Sequence, residues 1–282
     1  GTQARSSTAI QEAVRHLRDG LISAVYMARA LCFKTRDTIG RKPDGPVPAG
    51  VDYDLWLGPA PARPFNPNRF HYNWHWFWDY GNGDIGNQGV HEMDICRWGL
   101  GLTGLPRRVS SHGGKFVYQD DQETPNTQTA VFDYGGQQIH FEVRGLITHP
   151  DGALAFRGNN TIGNTFYGAD GFLSVDANGY QIFAGEKHEL VKEVKLAEGV
   201  WDTQPHFNNF IAAVRSRRHE DLACDIEQGH LSAALCHLAN ISYRVGRTLR
   251  VDGAKETITR TLAPPSPLPP DSPAPSRLPH PP

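Results

Sequence analysis

The sequence predicts an α+β protein built on a large, open, mainly antiparallel β-sheet with flanking helices. Between residues 108 and 196, short strand-like segments follow one another and are separated by Gly, Asp and Asn turns. Such a run is typical of an antiparallel sheet whose strands are joined by tight connections. Amphipathic helical patterns lie before this region and after it. We therefore expect the helices to pack against one sheet.

The elements before the sheet region are a helix, a strand and a long loop. Thr8 and Gln11 fit a capping box at the start of a helix over residues 8–19. Its apolar stripe consists of Ile10, Ala13, Val14 and Leu17. A strand over residues 24–33 follows. Residues 34–68 are rich in Pro, Gly and charge, and loops of this length in compact domains are more often functional than idle.

The later elements are a helix over residues 87–100, a series of strands and two closing helices. The strands are predicted at residues 108–118, 129–134, 138–144, 153–156, 172–175, 180–183 and 190–196. The closing helices cover residues 205–217 and 227–247, and their periodic apolar residues should face inward. In the first of them these residues are Phe207, Phe210, Ile211 and Val214.

Charge and hydropathy argue against two classes of partner. The chain has 28 Lys and Arg against 30 Asp and Glu, so it lacks the basic field that binds nucleic acid. No run approaches the roughly 20 apolar residues that a bilayer helix needs, so we expect no membrane span. The first residues do not form a signal peptide. Because an initiator Met is missing, we expect a cut before Gly1 that could have removed an export signal.

An unusual aromatic segment covers residues 70–80, with seven aromatic rings and two imidazoles in eleven residues. Aromatic faces beside hydrogen-bonding side chains suit a sugar, which offers apolar C–H faces and a rim of hydroxyls. His75, Trp76, Trp78 and Asp79 are therefore candidate substrate ligands. For many of these rings the alternative is packing in a Trp-rich core under the long loop.

The turn Gly81-Asn82-Gly83-Asp84-Ile85-Gly86 matches G-x-G-x-x-G and precedes a helix. A dinucleotide loop also needs a buried Val/Ile/Leu strand in front, an acidic residue about 20 positions on, and a surrounding βαβ unit. Here a Trp/His run precedes the turn and antiparallel strands follow. We therefore interpret these glycines as positions where the backbone turns tightly or approaches a substrate.

His91 is the leading acid–base candidate. Asn87, His91 and Asp94 recur at i, i+4 and i+7, which places an amide, an imidazole and a carboxylate along one helical stripe. An imidazole beside polar partners can exchange a proton near neutral pH. The alternative is a core histidine bonded to backbone, and Asp94 either orients His91 or caps a neighbouring loop.

The sequence does not favour a metal site or a disulfide framework. His71 and His75 have i, i+4 spacing, but the flanking residues give no helical pattern, and His91 with Glu92 and Asp94 is the other possible ligand set. The cysteines lack C-x-x-C spacing, which indicates buried thiols. They are Cys32, Cys96, Cys224 and Cys236.

From Gly1 to about Asp252 the sequence resembles the Gfo/Idh/MocA oxidoreductases. The resemblance rests on separated motifs that occur in the same order. They are GTQAR at residues 1–5, VDYDLWLGP at 51–59, WFWDYGNGDIGNQGVHEMD at 76–94, GADGFLSVDANGY at 168–180 and HFNNF at 206–210.

The resemblance implies a two-domain enzyme. A Rossmann domain would hold NAD or NADP, and an α+β domain of the dihydrodipicolinate-reductase type would supply the substrate pocket and homo-oligomer contacts through its sheet face. In this frame residues 1–22 are a remnant helix from the end of the cofactor domain, and residues 23–252 are the substrate domain. Residues 253–282 are a disordered tail, because the last 20 residues contain ten of the chain's 21 prolines.

The resemblance also implies which residues act. In the family, a D-x-x-x-H pair deprotonates a sugar or cyclitol hydroxyl, assisted by the Lys of an E-K-P motif. The His maps onto His91 and the Asp onto Asn87, which cannot ionise. Asp84 lies close in sequence and could supply the missing charge. No E-K-P and no nucleotide-binding strand–turn–helix occur in this sequence, so we expect the cofactor half to precede it.

The leading hypothesis is therefore the substrate domain of an NAD(P)-dependent oxidoreductase that acts on a sugar, a sugar derivative or a cyclitol. His91 would transfer the proton, with Asn87 and Asp84 beside it. Further residues would orient polyol hydroxyls or an acidic substituent. They are Lys34, Arg36, Arg41, His75, Trp76, Trp78, Asp79 and Asp94.

Two alternatives stay open. A glycoside hydrolase of the same fold, either NAD-assisted or free of cofactor, would in the cofactor-free case need two carboxylates about 5 to 9.5 Å apart. Its candidates are Asp79, Asp84, Glu92 and Asp94. The other alternative is a non-catalytic carbohydrate-binding or oligomerisation module, which would bind sugars without turning them over.

Overall fold

The computed structural model describes residues 2–154, 160–196 and 203–262. Its helices are α1 (Thr8–Arg18), α2 (Tyr53–Leu57), α3 (Asp84–Asn87), α4 (Gly89–Leu100), α5 (Gln204–Ser216) and α6 (Ile226–Val245). Its strands are β1 (Val25–Lys34), β2 (Arg108–Gly114), β3 (Thr127–Asp133), β4 (Gln138–Arg144), β5 (Asn160–Gly168), β6 (Gly171–Asp176), β7 (Gly179–Ala184), β8 (Glu189–Lys195), β9 (Thr248–Asp252) and β10 (Thr257–Leu262). The predicted α+β class is confirmed.

The strands form one open sheet in the order β10-β9-β2-β3-β4-β1-β5-β6-β7-β8. Neighbouring strands are antiparallel except β1 and β4, which run parallel. In this register Ala30 lies opposite Phe141 on β4 and Asn164 on β5. The strand next to the first helix in sequence thus occupies the middle of the sheet and forms ladders with two strands from much later in the chain.

One face of the sheet is covered by α1, α4 and α6, and the main hydrophobic core lies between them. Side chains alternate across each strand, so β4 sends Ile139, Phe141 and Val143 into this core. Helix α1 contributes its predicted apolar stripe, which is fully buried. The N-terminal segment is therefore packed into the same core as the sheet.

Two predictions about the C-terminal part differ from the structure. The apolar residues of α5 do not face inward: Phe207 is 60% exposed and Phe210 is 55% exposed, because α5 contacts mainly short 3₁₀ turns rather than the sheet. The predicted tail from residue 253 is wrong for Thr257–Leu262, which pair with β9. The rest of the predicted tail, residues 263–282, lies outside the described residues.

Three of the four cysteines, Cys32, Cys96 and Cys236, are buried free thiols, and Cys224 is a half-buried one. None of the helices in the described ranges is long and apolar enough to cross a membrane. The predicted strand at residues 153–156 lies partly outside the described residues, and Leu154 within it forms only an isolated bridge with Asp151.

Candidate active site

A cavity of about 380 Å³ lies between the N-terminal segment, α4 and the sheet. One wall comes from the segment before α1 and from α1 itself, and another from α4. The floor comes from β5, and the turn between β6 and β7 closes the far side. The lining residues are Gln3, Ala4, Ile10, Gln88, His91, Glu92, Ile95, Asn160, Ile162, Gly163, Asn164, Asp176, Ala177 and Asn178. Amides and carboxyls therefore outnumber apolar side chains on its wall.

His91 and Glu92 lie side by side in the first turn of α4. The His91 imidazole is half-buried, and burial lowers its pKa below the ordinary value of 6.5. Glu92 is buried at 5% exposure, and burial raises its pKa to about 8. At neutral pH the cavity therefore holds a neutral imidazole beside a neutral carboxylic acid.

Gln88, the residue that precedes α4, connects this pair to the end of β1. Its Oε1 accepts a hydrogen bond from Lys34 Nζ at 2.5 Å, and its Nε2 donates to Glu92 Oε1 at 3.0 Å. Lys34 is the last residue of β1 and lies opposite the cavity residue Asn160 in the ladder with β5. The predicted residue Lys34 is thus placed at the rim of the cavity.

A second polar cluster lies beside α3 and gathers four predicted site residues. Arg36 Nη2 contacts Asp84 Oδ1 at 3.2 Å, and its guanidinium lies 5.5 Å from the ring centre of Trp76. His75 and Trp76 are both buried, and burial lowers the pKa of His75. Asp84 is itself nearly inaccessible at 5% exposure. Its carboxylate pairs with Arg36, and Asp84 does not line the cavity that contains His91.

Two residues of the predicted helical stripe, Asn87 and Asp94, do not line the cavity that contains His91. Asn87 ends α3, one residue before α4 begins a separate helix, and its side chain is exposed. Asp94 accepts hydrogen bonds from Arg5 and from Ser232 and is 1% exposed. The helix predicted over residues 87–100 is divided at Gln88 into α3 and α4, and Asn87 does not line the cavity that contains His91.

The remaining predicted residues lie at other places on the surface. Asp79 is exposed and pairs with Arg63 at 2.6 Å, and it lines a separate groove of about 440 Å³ with Trp56 and Trp74. Trp78 is half-buried beneath the guanidinium of Arg244, at 5.0 Å from the ring centre. Arg41 is exposed in the long loop. None of these three residues lines the cavity at His91.

Glu92, Gln88 and Asn164 are functional candidates that the sequence did not single out as a group. Gln88 and Glu92 have the i, i+4 spacing of facing helical side chains. This spacing could have indicated a contact between them, but it is a weaker indication of function than the adjacent histidine. Asn164 lies within β5, where five of the nine residues are buried without regular alternation. Its role depends on the pairing of β5 with β1, so only the fold brings it to α4.

The glycine turn before α3 does not form a dinucleotide cradle. Gly83 has a positive φ of 71°, and an added Cβ there would lie 2.9 Å from Thr124 Cβ. At Gly81 an added Cβ would meet the backbone of His75. The absence of a side chain at these glycines therefore lets the backbone pack closely against this chain's own atoms, as in a tight turn.

The structure offers no assembled metal centre within the ranges it describes, since no three His, Cys, Asp or Glu side chains there are grouped to hold an ion. His71 and His75 belong to a 3₁₀ helix rather than an α-helix. His75 Nδ1 contacts the backbone oxygen of Tyr72, and its Nε2 is buried without a partner.

Solved structures with the same fold were found by comparison. WlbA dehydrogenase from Bordetella pertussis, in complex with NADH and UDP-GlcNAcA, is 18% identical with a TM-score of 0.55, covering 89% of this chain and 62% of that chain. WlbA from Chromobacterium violaceum, with the same two ligands, is 18% identical with a TM-score of 0.56, covering 89% and 62%. An oxidoreductase domain protein from Kribbella flavida is 14% identical with a TM-score of 0.60, covering 89% and 64%.

This chain spans less than two thirds of the length of those proteins. The comparison with curated proteins gave no match. A family model described as "Oxidoreductase family, C-terminal alpha/beta domain" matches residues 33–114 and 134–263, which include His91, Glu92 and the sheet that forms the cavity floor. The chain therefore belongs to the Gfo/Idh/MocA oxidoreductase family and carries its C-terminal α/β domain.

Proposed function

We propose that this chain is the substrate-binding part of an oxidoreductase that acts on a hydroxyl of a sugar, a sugar derivative or a cyclitol. The observation that carries the proposal is the position of His91 on a cavity lined by five side-chain amides. These are Gln3, Gln88, Asn160, Asn164 and Asn178. Amides both donate and accept hydrogen bonds, as a ring of hydroxyl groups does. Amides set among apolar side chains suit a sugar or cyclitol, which offers both hydroxyl groups and C–H faces.

His91 is the proton acceptor in this proposal. Oxidation of an alcohol carbon to a carbonyl releases the hydroxyl proton and a hydride. A base accepts the proton only in its neutral form, and burial lowers the pKa of His91, so the imidazole is neutral at pH 7. By family relation the hydride acceptor is NAD or NADP. The described residues supply only the group that accepts the proton.

The relatives support a sugar-type substrate. The two WlbA structures contain a nucleotide sugar together with NADH. Our chain shares their fold at 18% identity, and its cavity volume of about 380 Å³ lies within the range of small-molecule sites. Asn87 stays a proposed contributor, because its exposed amide directly precedes the cavity residue Gln88.

The hydrolytic alternative receives less support from the arrangement of carboxyl groups. Glycoside hydrolysis needs two carboxyls that face one bond. Of the four carboxylates that the sequence offers for this role, only Glu92 lines the cavity. The second carboxyl on the cavity, Asp176, accepts a hydrogen bond from the Asn178 backbone N–H at 2.7 Å. Asp79, Asp84 and Asp94 are each held by an arginine. Proton transfer by His91 therefore requires fewer rearrangements than a two-carboxylate mechanism.

The test compares His91→Ala with His140→Ala in the complete protein that contains this chain, using an NAD(P)-linked assay over a panel of aldoses, uronates and cyclitols. His140 lies on β4 and hydrogen-bonds Gln138 on the face away from α4, so it is a matched control. We expect His91→Ala to lower turnover by about 100-fold or more and His140→Ala to leave it unchanged. A loss below about threefold in His91→Ala would remove His91 from the mechanism. Sugar binding without any turnover by the unaltered protein would favour the non-catalytic alternative.

A further inference from the structure

Two buried oxygen atoms on the cavity wall have no hydrogen-bond partner. One is Oε2 of Glu92 and the other is Oδ1 of Asn164. Both residues line the cavity that contains His91, and Asn164 is 0% exposed. Buried polar atoms are nearly always paired. An unpaired oxygen on the α4 wall and another on the β5 floor of the same cavity therefore indicate a ligand that completes their hydrogen bonds.

The other polar atoms of these two side chains already form hydrogen bonds within the protein, so only these two oxygens are available to a ligand. Glu92 Oε1 accepts from Gln88 Nε2 at 3.0 Å. Asn164 Nδ2 donates to the backbone oxygen of Glu92 at 2.8 Å and contacts Cys96 Sγ at 3.1 Å. Asn164 can therefore offer only an acceptor. Glu92 can offer a donor from Oε2 if that oxygen carries the proton.

The surroundings of Glu92 favour its protonated form. Within the described ranges no cation forms an ion pair with it, and Lys34 reaches it only through Gln88. The other titratable groups that face it are His91 and Cys96 on α4, Cys32 on β1 and Cys236 on α6. Burial keeps the three thiols neutral by raising their pKa values. Asp176 lines the same cavity from the end of β6.

Building on the function proposed above, we propose that the cavity selects an uncharged polyol over a sugar acid, with Glu92 as its specificity residue. The Glu92 carboxylic acid donates a hydrogen bond to one hydroxyl oxygen, and Asn164 Oδ1 accepts one from a neighbouring hydroxyl. A vicinal diol presents a donor and an acceptor on adjacent carbons and so satisfies both atoms. A carboxylate substituent in the same position would meet Asn164 Oδ1 without a proton to share.

The proposal differs from the sequence interpretation in which cations orient an acidic substituent. Arg36 is neutralised by Asp84, Arg41 is exposed in the loop, and Lys34 is bonded to Gln88. None of these three cations lines the cavity. A donor and an acceptor, rather than a positive charge, are what this wall presents to a ligand.

The experiment is isothermal calorimetry on this chain without cofactor, with myo-inositol, glucose and glucuronate as probes at pH 6.5 and pH 9. The pKa of Glu92 is raised to about 8, so Glu92 carries its proton at pH 6.5 and loses it at pH 9. We expect the unaltered protein to bind at least one neutral probe at pH 6.5 and to lose about tenfold or more in affinity at pH 9. Glucuronate should bind at least about tenfold more weakly than glucose at pH 6.5.

Glu92→Gln is the matched variant, because its amide keeps a donor and cannot ionise. We expect it to bind neutral probes within about threefold of the unaltered protein at pH 6.5 and to keep that affinity at pH 9. The proposal is overturned if the affinity of the unaltered protein is the same at both pH values, if glucuronate binds more tightly than glucose, or if no probe binds. The pH series on the unaltered protein stays decisive if the variant folds poorly. A failure of the proposed function would appear instead in the turnover of His91→Ala, which this binding test does not measure.

Discussion

Arg5 and Asp94 form a buried, two-pronged ion pair, with Nε–Oδ2 at 2.8 Å and Nη2–Oδ1 at 2.9 Å across 89 residues of sequence. The Arg5 guanidinium also lies 5.3 Å from the ring centre of Trp98. Both Asp94 and Trp98 belong to α4, the helix that carries His91 in its first turn. The ion pair therefore fixes the N-terminal wall of the cavity against the helix that carries the proposed base.

We expect Asp94→Ala to lower the free energy of unfolding by about 3–5 kcal/mol, because it leaves Arg5 buried without its partner. Arg108→Ala is the control, since Arg108 pairs with Asp133 at the surface and its side chain is 55% exposed. That change should cost no more than about 1 kcal/mol. Urea unfolding followed by circular dichroism measures both. Equal losses in the two variants would contradict a special role for the buried pair.

The glycines of α4 and α6 should respond in opposite directions to alanine. At Gly99 an added Cβ would meet the Phe166 ring and Leu17, so Gly99→Ala should destabilise the protein by about 1–3 kcal/mol through overpacking. At Gly229 in α6 nothing lies within 4 Å. Gly229→Ala should therefore stabilise the protein by about 0.5–1 kcal/mol. Thermal unfolding of both variants gives the signs, and a stabilised Gly99→Ala would show that α4 packs less tightly than described.

Glu92 should make stability depend on pH. Its pKa is raised from 4.5 to about 8 on folding, so the folded state binds this proton more tightly than the unfolded state. The contribution is fully present below pH 4.5 and is lost as pH rises through about 8. We expect the free energy of unfolding of the unaltered protein to fall between pH 5.5 and pH 8.5 by more than that of Glu92→Gln. Parallel pH profiles from urea unfolding would refute the shifted carboxyl.

Self-association should involve the open face of the sheet. Phe172 and Phe183 stack there with ring centres 4.7 Å apart, on the side away from the core residues Leu173 and Ile182. We expect sedimentation velocity to show a homo-oligomer that Phe172→Glu dissociates, because a carboxylate on this face would be buried on association. Phe207→Glu on the exposed face of α5 is the control and should leave the mass unchanged. The reverse result would assign the interface to α5.

Apolar periodicity predicted which face of a helix is apolar but not what covers that face. The stripe of α1 is buried as expected. The same kind of stripe in α5 is exposed at Phe207 and Phe210, because no sheet lies beneath it. In α4 nine of twelve residues are buried, so periodicity could not separate the face of His91 from that of Asp94. Those assignments depend on the packing of neighbouring elements.

The candidate site was partly predictable for a similar reason. His91 was identified from its spacing to Asn87 and Asp94 and from its match to the histidine of the family's D-x-x-x-H pair. Asn164 could not be paired with it, since 72 residues separate it from Glu92 and only the β1–β5 ladder brings the two together. Arg36 and Asp84 were both expected to contact substrate, but each satisfies the other's charge. An ion pair between two residues that are far apart in the chain produces no periodic pattern in the sequence.

The central position of β1 has a consequence for how the chain folds. The neighbours of residues 25–34 in the sheet are residues 138–144 and 160–168, which lie more than a hundred residues later in the chain. The middle of the sheet cannot close until more than a hundred further residues have left the ribosome, and contacts this distant in sequence form slowly. During that interval β1 has α4 to pack against, but neither of the strands that flank it in the sheet. Nascent chains of this protein should therefore depend on a holding chaperone until β5 has emerged.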